Sequence, residues 1–176
     1  MTAEVMSRDN ARIARVEGVD SARVQGLFAQ AVDRWRDAGE RVAGVIEETH
    51  GLAGRTCNAG VLRDVTSGER YSIFLEILPP GKACHIDATG AASAGAAVLS
   101  NIATCDLVVL SKFGKLEAGH AGLIGAFEAA VSLNKPLLTT VSEKHRAAWD
   151  AFAPQANVLP PSIDAILSWW RGLDQT

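Results

Sequence analysis

"RIARVEGVDSARVQGLFAQAVDRWRDAGERVAGVIEE" (residues 12–48) reads as strand, helix and strand in succession. Its first seven residues form a short apolar-centred run that stops at Gly18. Asp20 or Ser21 then supplies a helix cap, and Val24, Leu27, Phe28, Ala31, Val32 and Trp35 recur at the helical period. Gly39 ends that helix, and residues 41–48, "RVAGVIEE", predict a second strand. A βαβ opening of this kind implies an α/β fold with a parallel sheet.

Downstream the pattern changes and then returns. Residues 60–77 hold two β-like runs around "TSGER", which predict an antiparallel hairpin inserted after the second strand. Pro79, Pro80 and Gly81 open a loop that runs through "KACHIDATG". An alanine-rich helix is expected over 87–103, with Asp87 or Thr89 as its cap. Strands follow at 106–112 and 136–142, separated by a helix over about 118–134. Helical segments near 143–152 and 162–172 close the chain. Without repeats or linkers, the expectation is one α/β domain spanning 1–176.

Bulk properties exclude several function classes. Apolar residues make up 48% of the 176 and charged residues 21%, an ordinary globular balance. A net charge of −3 lacks the basic footprint of a nucleic-acid partner. No apolar run reaches the roughly 20 residues that span a bilayer, and the N-terminal residues lack a signal-peptide core. A cytoplasmic location is expected, with no membrane and no nucleic acid. The three cysteines, Cys57, Cys84 and Cys105, show no paired spacing, and Cys105 reads as a small core residue.

In open parallel sheets, ligands sit beyond the carboxyl ends of the strands. The first such loop, "VEGVDSARVQG", has no lysine and carries Glu17 and Asp20, so a standard triphosphate loop is not expected there. The loop after the 106–112 strand differs. "LSKFGKLE" offers Ser111, Lys112, Gly114 and Lys115 as ligand-binding candidates for an anion, beside a predicted helix start. Glu117 would pair with a lysine, orient it, or serve as the base if the protein is an enzyme. The competing reading leaves both lysines solvated or paired with surface carboxylates. Cys84, His85, Asp87 and Thr89 form a second candidate cluster, for which Asp87 reads more simply as a helix cap. No metal site is assigned. A zinc ion would draw on Cys57, Cys84 and His85, with His50 or His120 added. Trp169 and Trp170 hint at burial against the sheet or in a homo-oligomer.

The strand–helix–strand–hairpin order, the Cys84-x-x-Asp87 step and "CDLVVLSKFGKLEAGHAGLIGAFEAAVSLNKPLLTTV" (105–141) carry a resemblance. Together they resemble a bacterial family, domain of unknown function 2478, described as nucleoside-triphosphatase-like. The likeness covers about residue 12 to Trp169-Trp170, and the Lys112–Glu117 turn is its most specific part. It implies a three-layer P-loop-NTPase-like α/β fold without the phosphate-binding loop. Some members are encoded near molybdate-uptake or molybdenum-enzyme genes, which implies an oxyanion-related role. The chain departs from the family at His85, where arginine is expected, and at the charged pair Arg15 and Glu17. The leading expectation is a binding protein for a small anion: molybdate, tungstate or a phosphorylated ligand. The alternatives are a nucleoside triphosphatase or nucleotide-binding enzyme using Mg²⁺, and an oligomeric regulatory scaffold.

Overall fold

The computed structural model describes residues 12–49, 60–75, 77, 80–81 and 86–173. The expected βαβ opening is present as β1 (Ile13–Val16), α1 (Ser21–Asp37) and β2 (Val42–Glu48). Asp20 caps α1 by accepting the Arg23 N–H at 2.9 Å. The apolar stripe of α1 buries Val24, Phe28, Ala31, Val32 and Trp35 against the sheet.

The hairpin follows as β3 (Val61–Asp64) and β4 (Arg70–Ser72), antiparallel to each other, with β3 antiparallel to β2. Buried Asp64 shapes its turn, accepting the N–H groups of Thr66 at 2.7 Å and Ser67 at 2.9 Å. Next come α2 (Ala88–Ile102), β5 (Leu107–Leu110), the single turn α3 (Lys115–Ala118) and α4 (Ile124–Ser132). The remainder comprises β6 (Leu137–Thr140), a 3₁₀ turn at Glu143–His145, α5 (Arg146–Phe152), β7 (Asn157–Leu159) and α6 (Ile163–Leu173).

All seven strands join one sheet in the order β4-β3-β2-β5-β6-β1-β7, parallel from β2 to β7. One face packs α1 and α6 around Phe28, Trp35, Ile166 and Trp170. The other packs α2, α4 and α5 around Val98, Phe127 and Trp149. The result is a three-layer α/β fold with a mainly parallel sheet and an inserted β-hairpin.

Two expectations need correction. The helix expected over 118–134 is broken between α3 and α4, where His120 (φ 58°) and Gly122 (φ 63°) turn left-handed. Strand β7 is an addition to the expected set, being three residues long at the sheet edge with Val158 half exposed. Trp170 is buried within the chain, edge-to-face on Trp35 at 6.1 Å, and Trp169 packs against the same cluster.

Candidate functional site

Strand β5 is buried throughout, and the chain leaves it at Ser111, which is 3% exposed. Phe113 fixes the path beyond. Its N–H donates to the Thr140 carbonyl at 2.8 Å, and its carbonyl accepts the Ser142 N–H at 3.0 Å. Its ring stands edge-on to Trp149 and Phe127, at 5.3 and 5.4 Å between centroids. Gln25, buried on α1, secures the other side. Its Nε2 donates to the Ser111 carbonyl at 2.7 Å, while its Oε1 accepts the Glu47 N–H at 3.0 Å. The carboxyl ends of β2 and β5 are thereby locked side by side.

A small cleft opens between them, lined by Glu47, Ser111, Lys112, Gly114, Lys115 and Glu117 over an apolar floor that includes Leu62 and Leu123. The structure thus brings together the four residues expected from the "LSKFGK" turn. Lys115 is exposed and has no ion-pair partner among the described residues. Lys112 is part-exposed, and its Nζ lies 3.9 Å from Glu47 Oε2, within ion-pair range but too far for a hydrogen bond. Burial pushes the Glu47 carboxyl above its ordinary range, with Lys112 drawing it back and Glu117 pushing it further up.

Glu117 is only 6% exposed and faces the backbone. Oε2 accepts the Gly114 N–H at 2.9 Å and Oε1 the Leu123 N–H at 3.0 Å. The carboxylate is therefore the brace of the turn and pairs with neither lysine. This corrects the anion site expected around Gly114, because that N–H is already occupied and α3 is only one turn long. Among the described side chains lining the cleft, the two ammonium groups and the Ser111 hydroxyl are the donors that face a ligand.

Asp87 caps α2 through the Thr89 N–H at 2.9 Å, and Thr89 is exposed away from the cleft lining. Among the described residues of that loop, Ile86 lines the cleft. Cys57, Cys84, His85 and His50 lie outside the described residues. Among the described residues no group of three His, Cys, Asp or Glu is placed to hold a metal ion. Cys105 is a core residue whose thiol donates to the Ile102 carbonyl at 3.2 Å.

The first loop explains its missing phosphate grip. At the carboxyl ends of β1 and β6, Glu17 lies 2.8 Å from Arg15 and 2.9 Å from Arg146. Arg15 is 9% exposed and also reaches Asp150 at 3.1 Å. A carboxylate of the chain itself stands between two guanidinium groups there. Gln25, Glu47, Arg146 and Asp150 were all missed as site residues by sequence reasoning. A polar residue inside an apolar helical stripe was a usable signal for Gln25 alone.

A model of the family described as "Protein of unknown function (DUF2478)" matches residues 13–169. One curated relative is the "Molybdenum import ATP-binding protein ModC 2" of Bradyrhizobium diazoefficiens, 36% identical over 147 residues. The match covers 82% of this chain but 16% of that protein's length. No solved structure shows a significant match. The likeness to an ATP-binding protein accords with a P-loop-NTPase-like fold. With nearly all of the described fold inside the matched span, the chain belongs to the DUF2478 family.

Proposed function

We propose that this protein binds a small oxyanion, of the molybdate or tungstate type or a phosphate group, in the cleft between β2 and β5. The observation that carries this reading is the pair of ammonium groups at the carboxyl edge of the sheet. Among the described residues, Lys115 has no ion-pair partner and Lys112 has only a long contact to Glu47. Two cations converging on a cleft with an apolar floor attract an anion more strongly than they would in open water. The named role of the Bradyrhizobium relative in molybdenum import lends this reading chemical direction. The matched segment is about a sixth of that protein, so its ATP-binding role can reside elsewhere in its chain.

The relative's ATP-binding name also favours a second reading, a nucleotide-binding enzyme using Mg²⁺. Against it stand the lack of a Gly-Lys-Ser/Thr turn after β1 and the Glu17 carboxylate just beyond that strand, held between two guanidinium groups. A thermal-shift screen with molybdate, tungstate, phosphate, sulfate and nucleotides, with and without Mg²⁺, separates the two. Saturation at a hundred times Kd adds about 2.7 kcal/mol of stability. The expected result is a shift with a free oxyanion that disappears in Lys112→Ala/Lys115→Ala. A double variant that folds and keeps full anion affinity would overturn the assignment, as would a shift seen only with nucleotide and Mg²⁺.

A further inference from the structure

We propose that Glu47 makes anion binding in this cleft proton-coupled, so that each fully deprotonated oxyanion is taken up together with one proton on Glu47. This rests on the anion reading above. Glu47 is the penultimate residue of β2, with its side chain only 12% exposed, on the lining of the cleft that holds Ser111, Lys112 and Lys115.

The groups around it leave its carboxylate without a hydrogen-bond donor among the described residues. The loop after β5 presents Lys112 at 3.9 Å. The α3 turn presents exposed Lys115 and also Glu117, a second carboxylate whose oxygens are already held by Gly114 and Leu123. Strand β3 places Leu62 directly opposite, while its Arg63 pairs with Glu48 at 2.8 Å. From α1, Gln25 meets only the Glu47 backbone N–H. Leu62, Ile73, Ile86, Ala91 and Leu123 complete an apolar wall.

An anion bound to Lys112 offsets the cation that, among the described residues, favours the ionised carboxylate, and it adds a like charge beside it. Such a pair resolves by neutralising one member. Protonated Glu47 then becomes an O–H donor to the ligand, whereas ionised Glu47 can only accept. A ligand that carries its own proton, such as hydrogenphosphate, satisfies the ionised carboxylate directly. Glu47 therefore reads the protonation state of the ligand. Burial by itself already raises its affinity for a proton.

Isothermal titration of the full chain with molybdate, from neutral to alkaline pH and in buffers of differing ionisation enthalpy, tests this. Wild type is expected to take up about one proton per molybdate once Glu47 is ionised, with affinity falling about tenfold per pH unit there. Glu47→Gln, a neutral isostere, is expected to bind without proton uptake, with a flat pH profile and tighter than wild type at alkaline pH. Molybdate binding by wild type with no proton uptake at any pH would overturn the coupling while leaving the anion site intact. The proton count needs no variant, so a poorly folding Glu47→Gln does not blunt the test. Silence of both proteins towards molybdate at every pH would overturn the anion reading for this probe, and the coupling with it.

Discussion

Glu117 and Glu47 are carboxylates lining one cleft, and their surroundings give them opposite characters. Glu117 bridges two backbone N–H groups on either side of the α3 turn. Truncating it to alanine leaves both donors without their acceptor in a buried setting, and each costs about 1–3 kcal/mol. Glu117→Ala is expected to lower stability by about 2–4 kcal/mol in urea melts. A loss below about 0.5 kcal/mol, the range of an ordinary surface substitution, would show that the turn holds without its brace. Glu47 instead has burial as its dominant influence, which raises its folded-state value above the ordinary 4.5. A raised acid contributes stability that is fully present below its unfolded value and is lost as pH rises through the folded one. The stability of Glu47→Gln relative to wild type should therefore climb with pH above about 4.5 and level off once Glu47 is ionised. A pH-independent difference between the two proteins would contradict the burial argument. Neither character was legible in the sequence, where Glu47 is the penultimate residue of a strand and Glu117 a carboxylate near two lysines.

At the scale of elements, the periodic segments were legible and the interruptions were not. Strands β1, β2, β5 and β6, the hairpin and helix α1 follow from apolar period and turn residues, because each buries a face that the sequence marks. The break between α3 and α4 escaped that reading, since residues 118–134 keep an apolar pattern across it. The reason is local. The Leu123 N–H is given to Glu117, and Gly122 takes a left-handed φ. A Cβ on Gly122 would stand 2.6 Å from Glu117 Oε1 and 2.8 Å from Leu116 Cβ. Gly122→Ala thus combines backbone strain with a collision against the brace and is expected to cost about 1–3 kcal/mol. Gly26 provides the contrast. It lies exposed within α1, and a methyl group added there would meet nothing within 4 Å. Gly26→Ala is therefore expected to add about 0.4–1 kcal/mol. Thermal melts that rank the two glycines the other way would refute this account of the break.

For the whole molecule, the topology sets the crevice between β1 and β6 as the place where ligands usually bind. From β1 the chain crosses over α1 to the β2 side of the sheet, whereas from β6 it passes through α5 to β7 on the other side. Here that crevice is crossed by Arg15, Glu17, Arg146 and Asp150, which tie β1 to α5 across 135 residues of sequence. The charges of Arg15 and Glu17 were visible in the sequence, but partners so distant leave no local pattern. Arg15 is nearly buried, so it depends on this pairing more than a surface arginine would. Glu17 and Arg146 are partly exposed, at 25% and 38%, which screens their share. Among the described residues, replacing Glu17 with glutamine leaves Arg15 with Asp150 alone and releases Arg146. The expected loss is about 1–3 kcal/mol in urea melts. Sulfate should restore part of it, because the two released guanidinium groups suit an oxyanion where the carboxylate stood. Wild type measured in the same salt removes the general stabilising effect of sulfate. An equal gain in both proteins would mean that Glu17 does not occupy an anion position, and that its clamp only fastens the two ends of the fold together.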